Sequence, residues 1–159
     1  MTASPRIGLG EPLDQTRIRR LIPHADAMCL LETVIAWDED SITCRTASHR
    51  DPTHPLRRDG HLAALHAFEY GAQAAAIHGS LWAQITGQTA PSGYLAAIRD
   101  ARWWVAELET IAAPLEVFAR CLLRDGGRCS YAIRVSAADQ LLAEGRIVIL
   151  PRPDAGAHS

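Results

Sequence analysis

The chain has 159 residues, 48% of them hydrophobic, with 16 basic and 18 acidic side chains and a formal net charge of −2. Every basic residue is arginine, and the missing lysine excludes Schiff-base chemistry and the phosphate-loop lysine of nucleotide hydrolases. A chain this long buries roughly 70% of its unfolded surface as one domain, and a pI near 6.4 argues against a nucleic-acid partner.

No apolar run approaches the ~18 residues of a membrane helix, and Met1–Gly10 lacks the layout of a signal peptide. A cytoplasmic protein with no membrane partner is expected. Residues 1–12 and 153–159 read as flexible termini around one domain at 13–152. Thr16–Pro23 reads as a short helix that ends before the proline. Met28–Ala36 and Ser41–Ala47 read as two strands of a hairpin, joined by a turn at Trp37–Asp40. His49–Gly60 carries two prolines, two histidines and three arginines in twelve residues and reads as a loop. Leu62–His78, rich in Ala and Leu, is the clearest helix, apolar nearly all round, with Gly79-Ser80 closing it. Strands follow at Tyr94–Ala106, Leu115–Leu123, Ser130–Val135 and Leu142–Leu150, with turns at Asp125-Gly126-Gly127 and Asp139-Gln140. Trp103 and Trp104, adjacent on a strand, should point to opposite faces, one into the core and one to solvent or an interface. The elements add up to an α+β fold, one antiparallel sheet wrapped on a long central helix. Its edge strands give an independent motive for dimerisation.

Cys29, Cys44, Cys121 and Cys129 form no Cys-x-x-Cys pair, so they read as small buried hydrophobes rather than metal ligands. No metal or cofactor is expected. The remaining proton-transfer groups are histidines and carboxylates. Glu69 lies mid-helix, either at an exposed gap or in a buried site where a carboxyl suits general acid work. Gln73 follows one turn on, and His66 lies three residues back. His54 precedes Pro55 in the loop. His61 follows Gly60 at the helix start, where the dipole should depress its pKa. His24 reads as a loop cap, His66 and His78 as structural, and His49 and His158 as having no role.

Several stretches are similar to one family. LIPHADAMCLLETV resembles the opening of the bacterial 3-hydroxyacyl-[acyl-carrier-protein] dehydratases, FEYGAQAAAIHG their central helix with an acid followed four places later by Gln, SGYLAAIRDARW an internal strand and QLLAEGRIVILP the last strand. The similarity spans most of 20–151, and the HPLRRDG loop is closest to the divergent branch found near aryl-polyene pigment clusters. It implies a hotdog fold and dehydration of 3-hydroxyacyl thioesters to trans-2-enoyl thioesters in fatty-acid or polyene synthesis. It further implies an acyl carrier protein bearing phosphopantetheine as partner, and a homodimer or a dimer with a related hotdog subunit. A loop histidine would be the base, by spacing His54, with His61 as rival; eight residues of helix would set His61 roughly 12 Å from Glu69. Glu69, across a dimer from the histidine, would be the acid. The Ala64 N–H would bind the thioester oxygen, Gln73, Gly60 and His61 would support the site, and Arg57 and Arg58, with Arg99 and Arg102, would dock the acidic carrier. A hotdog thioesterase is the first alternative. Thr53-His54-Pro55-Leu56 and Ala63-Ala64 replace the family's Gly-His-Phe-Pro-Gly and Pro-Gly, which motivates a second alternative, a dehydratase-like subunit that completes an active partner.

Overall fold

The computed structural model describes residues 12–22, 29–89 and 93–152. His24, in the opening motif, and His158 lie outside the described residues, as do 1–11 and 153–159 of the expected termini.

Helix α1 (Gln15–Leu21) starts where the Asp14 carboxylate accepts the Arg17 N–H at 3.0 Å, and Arg19 and Arg20 in its last turn complement the dipole. Strands β1 (Thr33–Trp37) and β2 (Ser41–Thr46) form the expected hairpin. The Asp38 carboxylate builds its turn by accepting the Asp40 and Ser41 N–H groups and the Ser41 hydroxyl. β1 begins later than its apolar run, because Leu30 and Leu31 are buried as irregular chain.

The long helix α2 is Ala67–Ile85, shifted from the expected Leu62–His78 at both ends. Leu62 and Ala63 are not helical: the Leu108 N–H donates to the Leu62 carbonyl at 2.8 Å, and a 3-10 turn at Ala64–His66 leads into the helix. Gly79-Ser80 does not end it, and the Ser80 hydroxyl instead ties the helix to the Leu21 carbonyl at 3.0 Å. The end comes at Gly87 (φ +70), where the Gln88 N–H reaches the Ala83 carbonyl and the Gly87 N–H the Gln84 carbonyl. Only a residue at ease with positive φ closes a helix in this way.

Strands β3 (Gly93–Trp103), β4 (Leu115–Asp125), β5 (Arg128–Ala137) and β6 (Gln140–Pro151) complete one antiparallel six-stranded sheet in the order β1-β2-β4-β5-β6-β3. The sheet wraps α2, which is the hotdog arrangement that the resemblance implies. The helix sits close: a Cβ on Gly71 would lie 2.4 Å from Ile133 Cγ2, and Gly145 of β6 lies under Phe68. Phe68, Tyr70, Ile77, Leu115, Val117 and Ile133 are fully buried between the layers.

β3 forms one edge of the sheet. Trp103 and Trp104 are both about half exposed, 49% and 53%, so neither fills the core. Simple alternation fails because the register slips between Arg99 and Arg102, Asp100 takes positive φ, and Trp104 lies past the strand end. Cys29 and Cys44 are buried, Cys121 and Cys129 half-buried, and all four are free thiols. Among the described residues, no helix is long and apolar enough to cross a membrane.

Candidate functional site

Residues spaced three and four apart on α2 share one face. On that face Glu69, Ala72, Gln73, Ala76 and Ala83 line a groove of about 1000 Å³, walled opposite by Tyr94 and Leu95 of β3 and by Cys129 and Tyr131 of β5. The small side chains keep the groove open along the helix. Glu69 stands half-buried in the first turn of α2, at one end. Gln73 is held in place, its Oε1 accepting the Leu30 N–H at 2.9 Å.

His54 lies elsewhere. It is 5% exposed and does not line the groove. Asp51 starts its turn, accepting the Thr53 N–H and hydroxyl, while the His54 N–H reaches the Asp51 carbonyl. The Leu56 N–H donates to His54 Nδ1 at 3.1 Å, which puts the ring proton on Nε2. Nε2–H then donates to Tyr70 Oη at 3.0 Å, the Tyr70 hydroxyl to Ser48 Oγ at 2.8 Å, and the Ser48 hydroxyl to the Leu30 carbonyl at 2.6 Å. Burial first, then the Arg57 cation, pushes the His54 pKa down, and burial pushes the Tyr70 phenol up to about 12. His54 is thus a neutral imidazole with both nitrogens engaged inside the chain. The relay and the groove meet at Leu30, whose carbonyl receives Ser48 and whose N–H reaches Gln73.

His61 is exposed and sits in an acidic cluster, its Nδ1 2.8 Å from Glu109 and 3.2 Å from Glu107. The Glu109 hydrogen bond and the nearby Glu107 charge raise its pKa, the reverse of the expected depression, because α2 begins six residues later and no helix N-terminus faces it. Burial tends to raise the Glu109 carboxyl, but hydrogen bonds from the Leu62 N–H and His61 outweigh it and hold the group down to about 2. Ligand atoms of His61, Glu107 and Glu109 lie within 4.8 Å of one another, so these are the described residues that could hold a metal ion. His61 and the Leu62 N–H already satisfy Glu109.

Two further candidate residues are engaged within the chain. The Ala64 N–H donates to the Ala106 carbonyl at 3.0 Å and is not free to bind a thioester oxygen. Arg57 staples its own loop, donating to the Gly60 carbonyl at 3.0 Å and the His49 carbonyl at 3.1 Å. Arg58 is exposed, paired through its backbone with His61 across a turn in which Asp59 and Gly60 both take positive φ. His49, expected to have no role, is fully buried and bonds the Ile111 carbonyl through Nε2 at 2.9 Å, and burial lowers its pKa.

Near Trp82 the groove is lined by Arg124 and Tyr131, which sequence reasoning missed, and Tyr131 is hydrogen-bonded to His78, the buried histidine read as structural. His78 Nε2–H donates to the Asp38 carbonyl at 2.8 Å, so its Nδ1 accepts the Tyr131 hydroxyl, also at 2.8 Å. Burial lowers the His78 pKa and keeps the ring neutral. Arg124 approaches Tyr131 Oη at 3.4 Å, and its guanidinium covers the Trp82 ring at 5.4 Å from the centroid. The turn after Arg124 is tight, with Gly126 and Gly127 both at positive φ. That Asp-Gly-Gly signal was legible, but not the contact of Arg124 and Tyr131 with His78 on α2.

A family model described as "ApeP-like: ApeP dehydratase" matches residues 16–158. A chain of the dehydratase heterocomplex ApeI:P from Xenorhabdus doucetiae is similar at 26% identity, with 86% of this chain and 91% of that one covered and a TM-score of 0.77. AziG from S. sahachiroi (14% identity, 83% and 98% covered, TM-score 0.59) and a hypothetical thioesterase protein with coenzyme A from Streptococcus pneumoniae (9%, 72% and 83%, 0.51) share the fold. No curated protein matches.

Proposed function

The chain belongs to the ApeP-like dehydratase family, and from that premise we propose that it dehydrates 3-hydroxyacyl thioesters, presented by an acyl carrier protein, to trans-2-enoyl thioesters in polyene or fatty-acid synthesis. The observation that supports this reading is Glu69 at the head of an apolar groove, with Gln73 fixed beside it. Dehydration removes a proton from the carbon next to the thioester carbonyl and expels the 3-hydroxyl, which leaves as water once protonated. Glu69 is placed to deliver that proton, a role worth roughly 10²–10⁴ in rate.

The base is a separate matter. His54 is neutral, but Leu56 N–H occupies its one lone pair and Tyr70 its N–H. A second copy of this chain would bring the same occupied histidine. The reading we adopt is that a related hotdog subunit supplies the base opposite Glu69. A neighbour at 26% identity that is a chain of a dehydratase heterocomplex supports it. Exposed Arg58 is the loop cation left for carrier docking.

The test is enoyl formation from a 3-hydroxyacyl thioester by this chain alone and mixed with a related hotdog dehydratase whose own acidic residue is removed. Activity is expected only in the mixture. It should fall by roughly 10²-fold or more in Glu69→Gln and survive in His54→Ala that stays folded. Turnover by the chain alone that His54→Ala abolishes would make His54 the base and overturn the shared site. Release of free thiol without enoyl product would make the protein a thioesterase.

A further inference from the structure

We infer that Ser48 is a positioning residue for the groove: through the Leu30 backbone, its hydroxyl sets where Gln73 stands beside Glu69. The inference rests on the dehydratase reading and deepens it by naming a residue outside the groove on which the reacting face depends.

Leu30 is fully buried and precedes β1, so no strand ladder serves its backbone. A buried N–H or carbonyl without a partner is costly, and here side chains supply the partners. The N–H donates to Gln73 Oε1 at 2.9 Å, and the carbonyl accepts the Thr46 and Ser48 hydroxyls, both at 2.6 Å. Leu30 is thus held on one side by β2 and the turn after it, and on the other side it holds Gln73 of α2.

The two hydroxyls differ in what they can give. Thr46 has one proton for two acceptors, the Leu30 carbonyl and Glu32 Oε1 at 3.2 Å. The Ser48 proton is committed to Leu30. A carbonyl can only accept, so Ser48 donates to it, and the Ser48 oxygen accepts from Tyr70 at 2.8 Å. His54 Nε2–H, held in that tautomer by the Leu56 N–H, donates to Tyr70 and turns the phenol proton the same way. The run of bonds from Leu56 to Leu30 therefore has one polarity, and Ser48 is its last donor.

Gln73 is where this run meets the groove. A glutamine side chain is rich in rotamers, and anchoring its Oε1 removes much of that freedom. It stands one helical turn from Glu69 on the same face, so in the proposed dehydration both side chains meet the same part of the substrate. A displacement of about 1 Å at such a place can cost roughly 10²-fold in rate. Ser48 does not line the groove, and its route to the substrate runs through Leu30.

The experiment measures dehydration of a 3-hydroxyacyl pantetheine thioester by the protein in its active form, for the parent, Ser48→Ala, Gln73→Ala and the double variant. Ser48→Ala should lower kcat about ten-fold and leave KM within about two-fold, and Ser48→Thr, which keeps the hydroxyl, should retain the parent kcat. In the Gln73→Ala background Ser48→Ala should change kcat by less than about two-fold, because its route is gone. A parent kcat in Ser48→Ala, or the full loss repeated in the Gln73→Ala background, overturns the inference. Should Ser48→Ala not fold, Ser48→Cys, a weak donor of similar shape, carries the same cycle. Hydrogen exchange of the Leu30 amide, followed by NMR, reads the coupling without turnover: it should be about ten-fold faster in Ser48→Ala than in the parent. Unchanged exchange overturns the inference, whereas faster exchange in a protein that dehydrates no thioester overturns the dehydratase reading alone.

Discussion

Lowering the pH from 7 to 5 tests the three buried histidines together. His49, His54 and His78 are each 5% exposed or less, and burial is the leading cause that drives each pKa below the ordinary 6.5. Each is built as a neutral ring. The unfolded chain therefore binds protons more readily than the folded one throughout the range between 6.5 and the lowered folded values. Stability is complete above pH 6.5 and falls as the pH drops through that range. One histidine contributes at most about 1.4 kcal/mol per pH unit, so three set a limiting slope of about 4 kcal/mol per unit. His61 has the opposite sign: its pKa is raised, so its contribution is present below 6.5 and is lost as the pH rises through the folded value. It acts above the window. The lowered carboxylates Asp51 and Glu109 start from ordinary values of 3.8 and 4.5 and act below it. Urea unfolding at fixed protein concentration, at half-unit steps from pH 7 to 5, measures the slope, with a constant m-value showing that one transition is followed. A free energy that does not fall between pH 7 and pH 5 would refute the argument, because each of the three lowered values requires a loss in that direction.

Glu109→Gln removes the main hydrogen bond that holds the His61 proton, so the His61 pKa, followed by NMR titration, should drop back toward 6.5, while Glu107→Gln should move it less. Gly71→Ala places a methyl 2.4 Å from Ile133 Cγ2 in the helix–sheet contact. Despite the better helix propensity of alanine, it should destabilise by about 1–3 kcal/mol, read as a lower Tm, and a Tm at or above the parent's would show that the contact yields.

The hairpins were legible because their signals are local. Asp38 at the first turn and Asp125-Gly126-Gly127 at the β4–β5 turn satisfy or permit their own backbone geometry. The boundaries of α2 were not, because they are set from outside the helix. Propensity favours helix from Leu62, but the Leu108 N–H and the Ala106 carbonyl claim that segment's backbone. At the other end Gly79 looks like a stop, yet packing of the helix on α1 and the sheet carries it to the left-handed Gly87. Tertiary hydrogen bonds override local preference wherever they satisfy a buried backbone group.

The candidate site divides along the same line. Glu69 and Gln73 share a helix face by period alone, so their common groove could be read from spacing. His54 could not be read in this way. Its distance from Glu69 in sequence says nothing of Tyr70, the next residue on α2, which faces the other side of the helix and takes the imidazole N–H. Neighbouring positions on a helix point about 100° apart, so a histidine loop that packs against one is turned away from the other. The consequence reaches function. In the proposed dehydration, a chain that fixes Glu69 on an open face and His54 on a closed one would keep the carboxyl available and the histidine engaged. Such a chain is complementary to a subunit with a free histidine. Leu30, whose N–H donates to Gln73 and whose carbonyl accepts from Ser48, couples the two faces, so a change that loosens the His54 relay should also disturb Gln73 beside Glu69.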